Sequence, residues 1–180
     1  MKIWQLWADS DNYASFARVE AYTADDIQSF DGRSHANSWK PLKVEKIDTD
    51  KELDLGDMVS FTTPVFSEEA VNCLMQLIHE YVEFLQLDYS GKKYFAVNVT
   101  KVIDAIDYEK SEFVKFKSSN RIMRFKKYAF VPEKVSGISI FKITDEKRRV
   151  PFVSDEFKKM VEKNNLSGFK FKLVWDSEAD

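Results

Sequence analysis

The sequence predicts an α+β protein, an antiparallel-rich sheet packed against two main amphipathic helices at about 67–87 and 154–164. Three observations predict it. Apolar residues recur at helical spacing through Ala70, Val71, Leu74, Leu77, Ile78, Tyr81, Val82 and Leu85, so one stripe faces a core. An apolar–Ser–acid–acid pattern occurs twice, as Phe66-Ser67-Glu68-Glu69 and as Val153-Ser154-Asp155-Glu156, each at the start of a helix. Short β-branched and aromatic runs, such as residues 94–99 and 169–175, are set off by Gly, Ser and Asn turns.

Residues 3–7 read as a short strand and Ser10 to Asn12 as a turn. Residues 13–31 are poorly patterned, and Thr23-Ala24-Asp25-Asp26 fits either a short helix or a loop. Asp31-Gly32-Arg33-Ser34 is a turn signal. Residues 39–44 read as an edge strand, because Pro41 removes a ladder donor. An acidic loop spans 48–57, and residues 59–62 form a short strand leading into the first helix. There Ser67 can accept from the free N–H groups of the first turn, while Glu68 and Glu69 sit where the helix dipole favours negative charge. Phe66 is placed as a hydrophobic staple.

After the Ser90-Gly91 turn, residues 94–99 are a strand, and 102–107 continue the apolar pattern as a turn of helix or a short strand. Residues 113–117 and 122–131 form a meander joined by Ser118-Ser119-Asn120, ending at Pro132. Residues 138–143 and 150–153 are strands on either side of a charged turn. Ser154 caps the second helix, which ends near Asn164-Asn165. Gly168 then turns the chain into a final strand, where Phe169, Phe171, Leu173 and Trp175 alternate against lysines.

Hydrophobic residues make up 44% of the 180, with 15 Phe, which is enough material for a core without staples. One domain over 1–180 is expected, with 1–60 a less regular N-terminal lobe and 61–176 the more regular part. The single Cys73 cannot close an internal disulfide, which suits a reducing compartment. The apolar start is cut short by Asp9 and Asp11, unlike a signal peptide, and no run approaches the length of a membrane span. Cytoplasmic residence is the expectation. Residues 1–90 carry 7 Lys and Arg against 17 Asp and Glu, whereas 91–180 carry 20 against 13. That asymmetry points to a charged interaction surface, unless the halves interleave and cancel.

No catalytic set is visible. His79 and Glu83 fall where a metalloprotease helix would carry two His, so the second ligand is missing. His35 is too distant in sequence to join by local structure. Cys73 sits in an apolar helical setting that suits an inert thiol. Asp104, Asp107, Glu109 and Glu112 are dense enough to include an acid–base pair, but such density is usually a solvated surface. Lys115, Lys117, Arg121, Arg124, Lys126 and Lys127 run without an intervening acid, interleaved with Phe116, Phe125 and Tyr128. Such a face could bind single strands. Simple alternation of a lysine face with a core face explains it as well, and the chain's pI of ≈ 5.6 is far from a basic footprint.

Several stretches carry a family resemblance. They are Pro64-Val65-Phe66-Ser67-Glu68-Glu69-Ala70-Val71, the run from Asn98 to Asp107, Ile140-Phe141-Lys142-Ile143, and Phe152 to Phe157 continuing through Leu166-Ser167-Gly168-Phe169 to Val174-Trp175-Asp176. In this order and spacing, the chain resembles the eleventh family of bacterial immunity proteins from polymorphic toxin systems, first described as a domain of unknown function. Only Trp39-Lys40-Pro41 aligns in the N-terminal third. The matching positions are caps and core, with no catalytic motif among them.

The resemblance implies a protein that is not an enzyme, needs no cofactor or metal, and neutralises a cognate toxin encoded beside it by direct contact. Membrane and nucleic acid are not its expected partners. For a basic toxin, charge alone nominates Asp9, Asp11, Asp25, Asp26 and Asp31 as contact residues. Two other readings make different demands. A small-molecule or damage-reversing enzyme needs a pocket joining His35 or His79 to carboxylates. A single-strand binder would use the face from Lys115 to Lys127.

Overall fold

In a computed structural model that describes residues 1–20 and 30–179, the strands gather into two main sheets and two ribbons rather than one sheet. In chain order the first elements are β1 (Lys2–Ala8), β2 (Ser15–Arg18), β3 (Val44–Ile47), β4 (Met58–Val59), β5 (Val65–Ser67), α1 (Glu68–Ile78), β6 (Val82–Gln86) and β7 (Tyr94–Val99). There follow β8 (Val102–Ile103), β9 (Glu112–Lys115), β10 (Ile122–Lys127), α2 (Pro132–Val135), β11 (Ile140–Ile143), β12 (Phe152–Ser154), α3 (Asp155–Lys163) and β13 (Phe169–Asp176).

A five-stranded sheet has the order β13-β1-β12-β11-β8, and a four-stranded sheet the order β4-β5-β7-β6. Among the described strands every ladder is antiparallel except β8 with β11. The α+β class with antiparallel-rich sheets is therefore the observed one. The possible short helix at Thr23 to Asp26 lies outside the described residues.

The first helix is shorter than its sequence pattern. It stops at Ile78, and residues 82–86 form β6, paired from Val82↔Val99 to Gln86↔Phe95. Tyr81, Val82 and Leu85 fit a helical stripe, but Val82 and Leu85 are also buried in the strand. A β-branched and aromatic run with an open neighbour strand satisfies its backbone in the ladder instead. The turn is closed by Tyr81 N–H donating to the Ile78 carbonyl at 2.9 Å. The edge strand expected at 39–44 is displaced to β3, which pairs with β2 from the poorly patterned stretch. Pro132 both ends the meander and opens the one-turn α2, where its missing N–H does no harm.

The repeated Ser-acid-acid pattern becomes two matching strand-to-helix junctions. Ser67 Oγ accepts from Ala70 N–H at 3.1 Å, and Ser154 Oγ from Phe157 N–H at 3.2 Å. Helices α1 and α3 then pack together, sharing one buried cluster with Leu6, Phe66, Val97, Ile140 and Val153. Phe157 is fully buried there, and burial of such a ring contributes roughly 1.5–3 kcal/mol. A second cluster lies between the five-stranded sheet and the β9–β10 ribbon, and a third between the four-stranded sheet and the β2–β3 ribbon.

Asp57 ties the first junction to the turn after α3. Its carboxylate accepts from Ser67 Oγ at 2.7 Å, and from Ser167 N–H and Oγ at 2.9 Å each. The turn that follows α3 is thereby held against the start of α1. No described helix is long and apolar enough to cross a membrane.

Candidate functional site

Of the five acidic residues nominated by charge, Asp9, Asp11 and Asp31 are among the described residues and lie on two separate segments. Asp9 and Asp11 share the turn after β1. The Asp9 carbonyl accepts from Tyr13 N–H at 3.0 Å, and its carboxylate accepts from Asn12 Nδ2 at 2.8 Å, so it builds the turn. Asp11 is exposed but holds Lys170 Nζ at 2.6 Å, and that ammonium keeps its carboxyl below the usual range. Asp31 is half-buried and takes Arg33 Nε at 2.9 Å. Burial pushes the Asp31 carboxyl up, but the Arg33 hydrogen bonds and charge outweigh it and leave it below its ordinary value. Asp25 and Asp26 lie outside the described residues.

The two histidines sit on different elements. His79 caps α1, exposed, with Nδ1 3.2 Å from the Met75 carbonyl oxygen. His35 lies in the turn before β3, with its ring edge-on to Phe30. Its backbone N–H, not its imidazole, donates to Glu83 at 2.8 Å. Glu83 also accepts from Ser34 Oγ and from Asn98 Nδ2, clamping the turn at 33–36 onto the four-stranded sheet. Among the described residues no group of three or more His, Cys, Asp or Glu is placed to hold a metal. Asp107 accepts from Glu109 N–H and Lys110 N–H, and Asp104 faces Lys134 at 4.0 Å, so these acids shape turns and surface.

The basic run forms the β9–β10 ribbon. Of its interleaved aromatics Phe125 and Tyr128 turn inward, whereas Phe116 is exposed. Phe125 is 9% exposed, stacked on Tyr128 at 4.9 Å and edge-on to Phe113 at 5.8 Å. Two register shifts break the simple alternation, so Met123 and Arg124 are both exposed, as are Lys126 and Lys127. A cleft of about 770 Å³ lies against Tyr108, Phe113, Lys115, Phe116 and Arg121. A second, of about 610 Å³, opens between the ribbon, the loop after β11 and the outer part of β1–β13. Gln5 and Tyr128 line it, joined by a 3.2 Å hydrogen bond from Gln5 Nε2 to the phenol oxygen. Its cations include Arg124, Lys126, Arg149 and Lys172, beside the exposed Trp7 and Leu173.

Sequence inspection missed this second cleft, because Trp7, Arg149 and Lys172 meet only when β1 pairs with β13 and the 146–150 loop folds over. It also missed Lys142. This side chain is 3% exposed in a strand whose four residues are all buried, and its Nζ donates to the Phe30 carbonyl at 2.6 Å. Burial pushes its pKa down to about 8, against a smaller opposing effect of Asp31. A lone Lys inside Ile140-Phe141-Lys142-Ile143 was the available signal.

The arrangement suits recognition. Exposed cations border exposed apolar side chains, while the caps and clamps fix the frame beneath them. A family model described as Immunity protein family (Imm11) matches residues 65–176. No curated protein matches the chain.

Proposed function

We propose that this chain, which belongs to the Imm11 immunity protein family, binds a cognate toxin domain and blocks it by direct protein–protein contact. Membership over residues 65–176 is the observation that carries this reading. Binding is the whole act, with no bond made or broken. The protein works in the bacterial cytoplasm of the cell that makes the toxin, against a toxin encoded beside it.

Of the two charged surfaces available to meet a toxin, the acidic set is the weaker. Asp11 and Asp31 already hold Lys170 and Arg33, and a compensated charge attracts little at a distance. The deciding experiment is co-expression with the neighbouring toxin domain, inactivated if it kills the host. A one-to-one complex surviving gel filtration is expected, along with protection of cells from the active toxin. No complex at micromolar concentration overturns the reading.

A further inference from the structure

We infer that the cleft between the β9–β10 ribbon and the β1–β13 edge is the toxin-docking face, and that it takes an acidic protein surface. This rests on the neutraliser reading above and adds to it the place and chemistry of contact.

Three observations point there. The first is uncompensated charge. Elsewhere on the surface Lys46, Lys93, Lys159 and Lys170 each hold a carboxylate within 2.9 Å, and lysines without an ion pair among the described residues, such as Lys40, Lys92 and Lys163, lie on separate segments. Among the described residues Arg124, Lys126, Arg149 and Lys172 make no ion pair, although they line one cleft. The one carboxylate among its described lining residues, Glu146, is held by the Tyr128 hydroxyl, which donates to it at 2.8 Å. Like charges gathered this way repel each other in the free protein and are relieved by an anionic partner.

The second is apolar area at the same place. Trp7 is 45% exposed and Leu173 44%, and both line the cleft. An aromatic anchor ringed by cations is the arrangement of a protein-binding hot spot. The third is rigidity. Trp7 and Lys172 sit on paired strands, β1 and β13, which share seven registered pairs. Surfaces built on such elements lose little freedom when they bind.

Protein is favoured over nucleic acid because base stacking needs aromatic platforms in succession. On this ribbon Phe125 is buried and Phe113 packs against the core, and the exposed ring, Phe116, lines the other cleft beside Lys115 and Arg121 rather than this one.

The test is stopped-flow association with the inactivated neighbouring toxin domain. The cleft variant is R124E/K126E/R149E/K172E. The control, K40E/K43E/K92E/K163E, makes the same change in net charge at other exposed lysines. In about 50 mM salt the cleft variant should associate at least about tenfold more slowly than the unmodified chain and the control less than about threefold, with the gap closing near 500 mM. A neutral R124Q/K126Q/R149Q/K172Q variant, checked for an unchanged unfolding transition, guards against misfolding and should show a smaller loss in the same direction. Trp7→Ala should raise the dissociation rate about tenfold.

If the complex forms and the cleft variant associates like the control, the face is wrong while the neutraliser reading stands. If the unmodified chain forms no complex, the neutraliser reading falls and takes the docking face with it. A 20-nucleotide single strand is the last arm. Its retention at about 100 mM salt, lost in the cleft variant, assigns the face to nucleic acid and overturns the proposal.

Discussion

Asp57 accepts a hydrogen bond from Ser67 Oγ at 2.7 Å while that same oxygen caps α1 by accepting from Ala70 N–H. Ser154, at the matching junction of α3, caps in the same way but has no such carboxylate partner among the described hydrogen bonds. The two caps should therefore differ in energy. Ser154→Ala should lower stability by about 1 kcal/mol, the ordinary loss of a cap. Ser67→Ala should cost roughly 2–4 kcal/mol, because a hydrogen bond to a half-buried carboxylate is lost as well. Urea unfolding of the two variants checks the order, and equal losses would remove Asp57 from the account.

Gly168 meets strand β4 so closely that a side chain has no room. Its φ is +78°, and a Cβ there would stand 2.3 Å from the Met58 carbonyl oxygen. Gly137 has a similar φ of +74° with nothing within 4 Å. Gly137→Ala should thus cost about 1–2 kcal/mol from backbone strain alone. Gly168→Ala should cost about 3 kcal/mol or more, since backbone must move. Thermal melts of the pair separate conformational strain from steric overlap.

Both caps and Gly168 were legible in the sequence, because capping and turn chemistry are local. So were β7 and β13, where alternation and flanking turns agree. What failed was anything decided by a distant partner. Residues 82–86 satisfy a helical and a strand pattern equally, and only the ladder to β7 decides between them. β2 has no local pattern and exists because β3, far along the chain, pairs with it. The docking cleft was illegible for the same reason, since Trp7, Arg149 and Lys172 come from three separate segments. The surroundings of the acidic candidates were illegible for a related reason. Counting charges cannot reveal that Lys170 stands on Asp11.

Glu83 supplies a clamp whose strength follows pH. Burial pushes its carboxyl up, but donors at Ser34, His35, Asn98 and Ala36 outweigh that and leave it below its ordinary value near 4.5. A group depressed in the folded state contributes stability that is present above the unfolded value and lost as pH falls through the folded one. The clamp should therefore weaken below about pH 4.5, releasing the turn at 33–36. Glu83→Gln places an amide against these donors and should cost about 1–3 kcal/mol at neutral pH while flattening the acid limb. Protection of the amides at residues 33–36 relative to their intrinsic exchange rates, followed between pH 7 and 4, reads the release, and protection that stays constant would show that Glu83 is not its anchor.

Lys142 predicts a pH dependence of the same sign in the alkaline range. Its folded pKa of about 8 lies below the ordinary 10.5, so between those values the unfolded chain binds more protons. Stability should then rise with pH from about 8 toward 10.5, and below pH 8 the buried charge opposes folding in full. The size of the rise is of order 3 kcal/mol, at about 1.36 kcal/mol for each pH unit of displacement. Lys142→Met removes the charge and keeps an unbranched stem, but it leaves the Phe30 carbonyl without its donor, at a loss of about 1–3 kcal/mol. The two effects nearly offset near neutrality, so the variant should match the parent at pH 7 and fall behind it at pH 10. Other lysines titrate in the same range in both proteins, and taking the difference between variant and parent cancels them. Urea midpoints at pH 7, 8.5 and 10 give that difference directly. A constant difference would mean that Lys142 keeps its proton throughout and that the Phe30 carbonyl, with Asp31 behind it, compensates the buried charge.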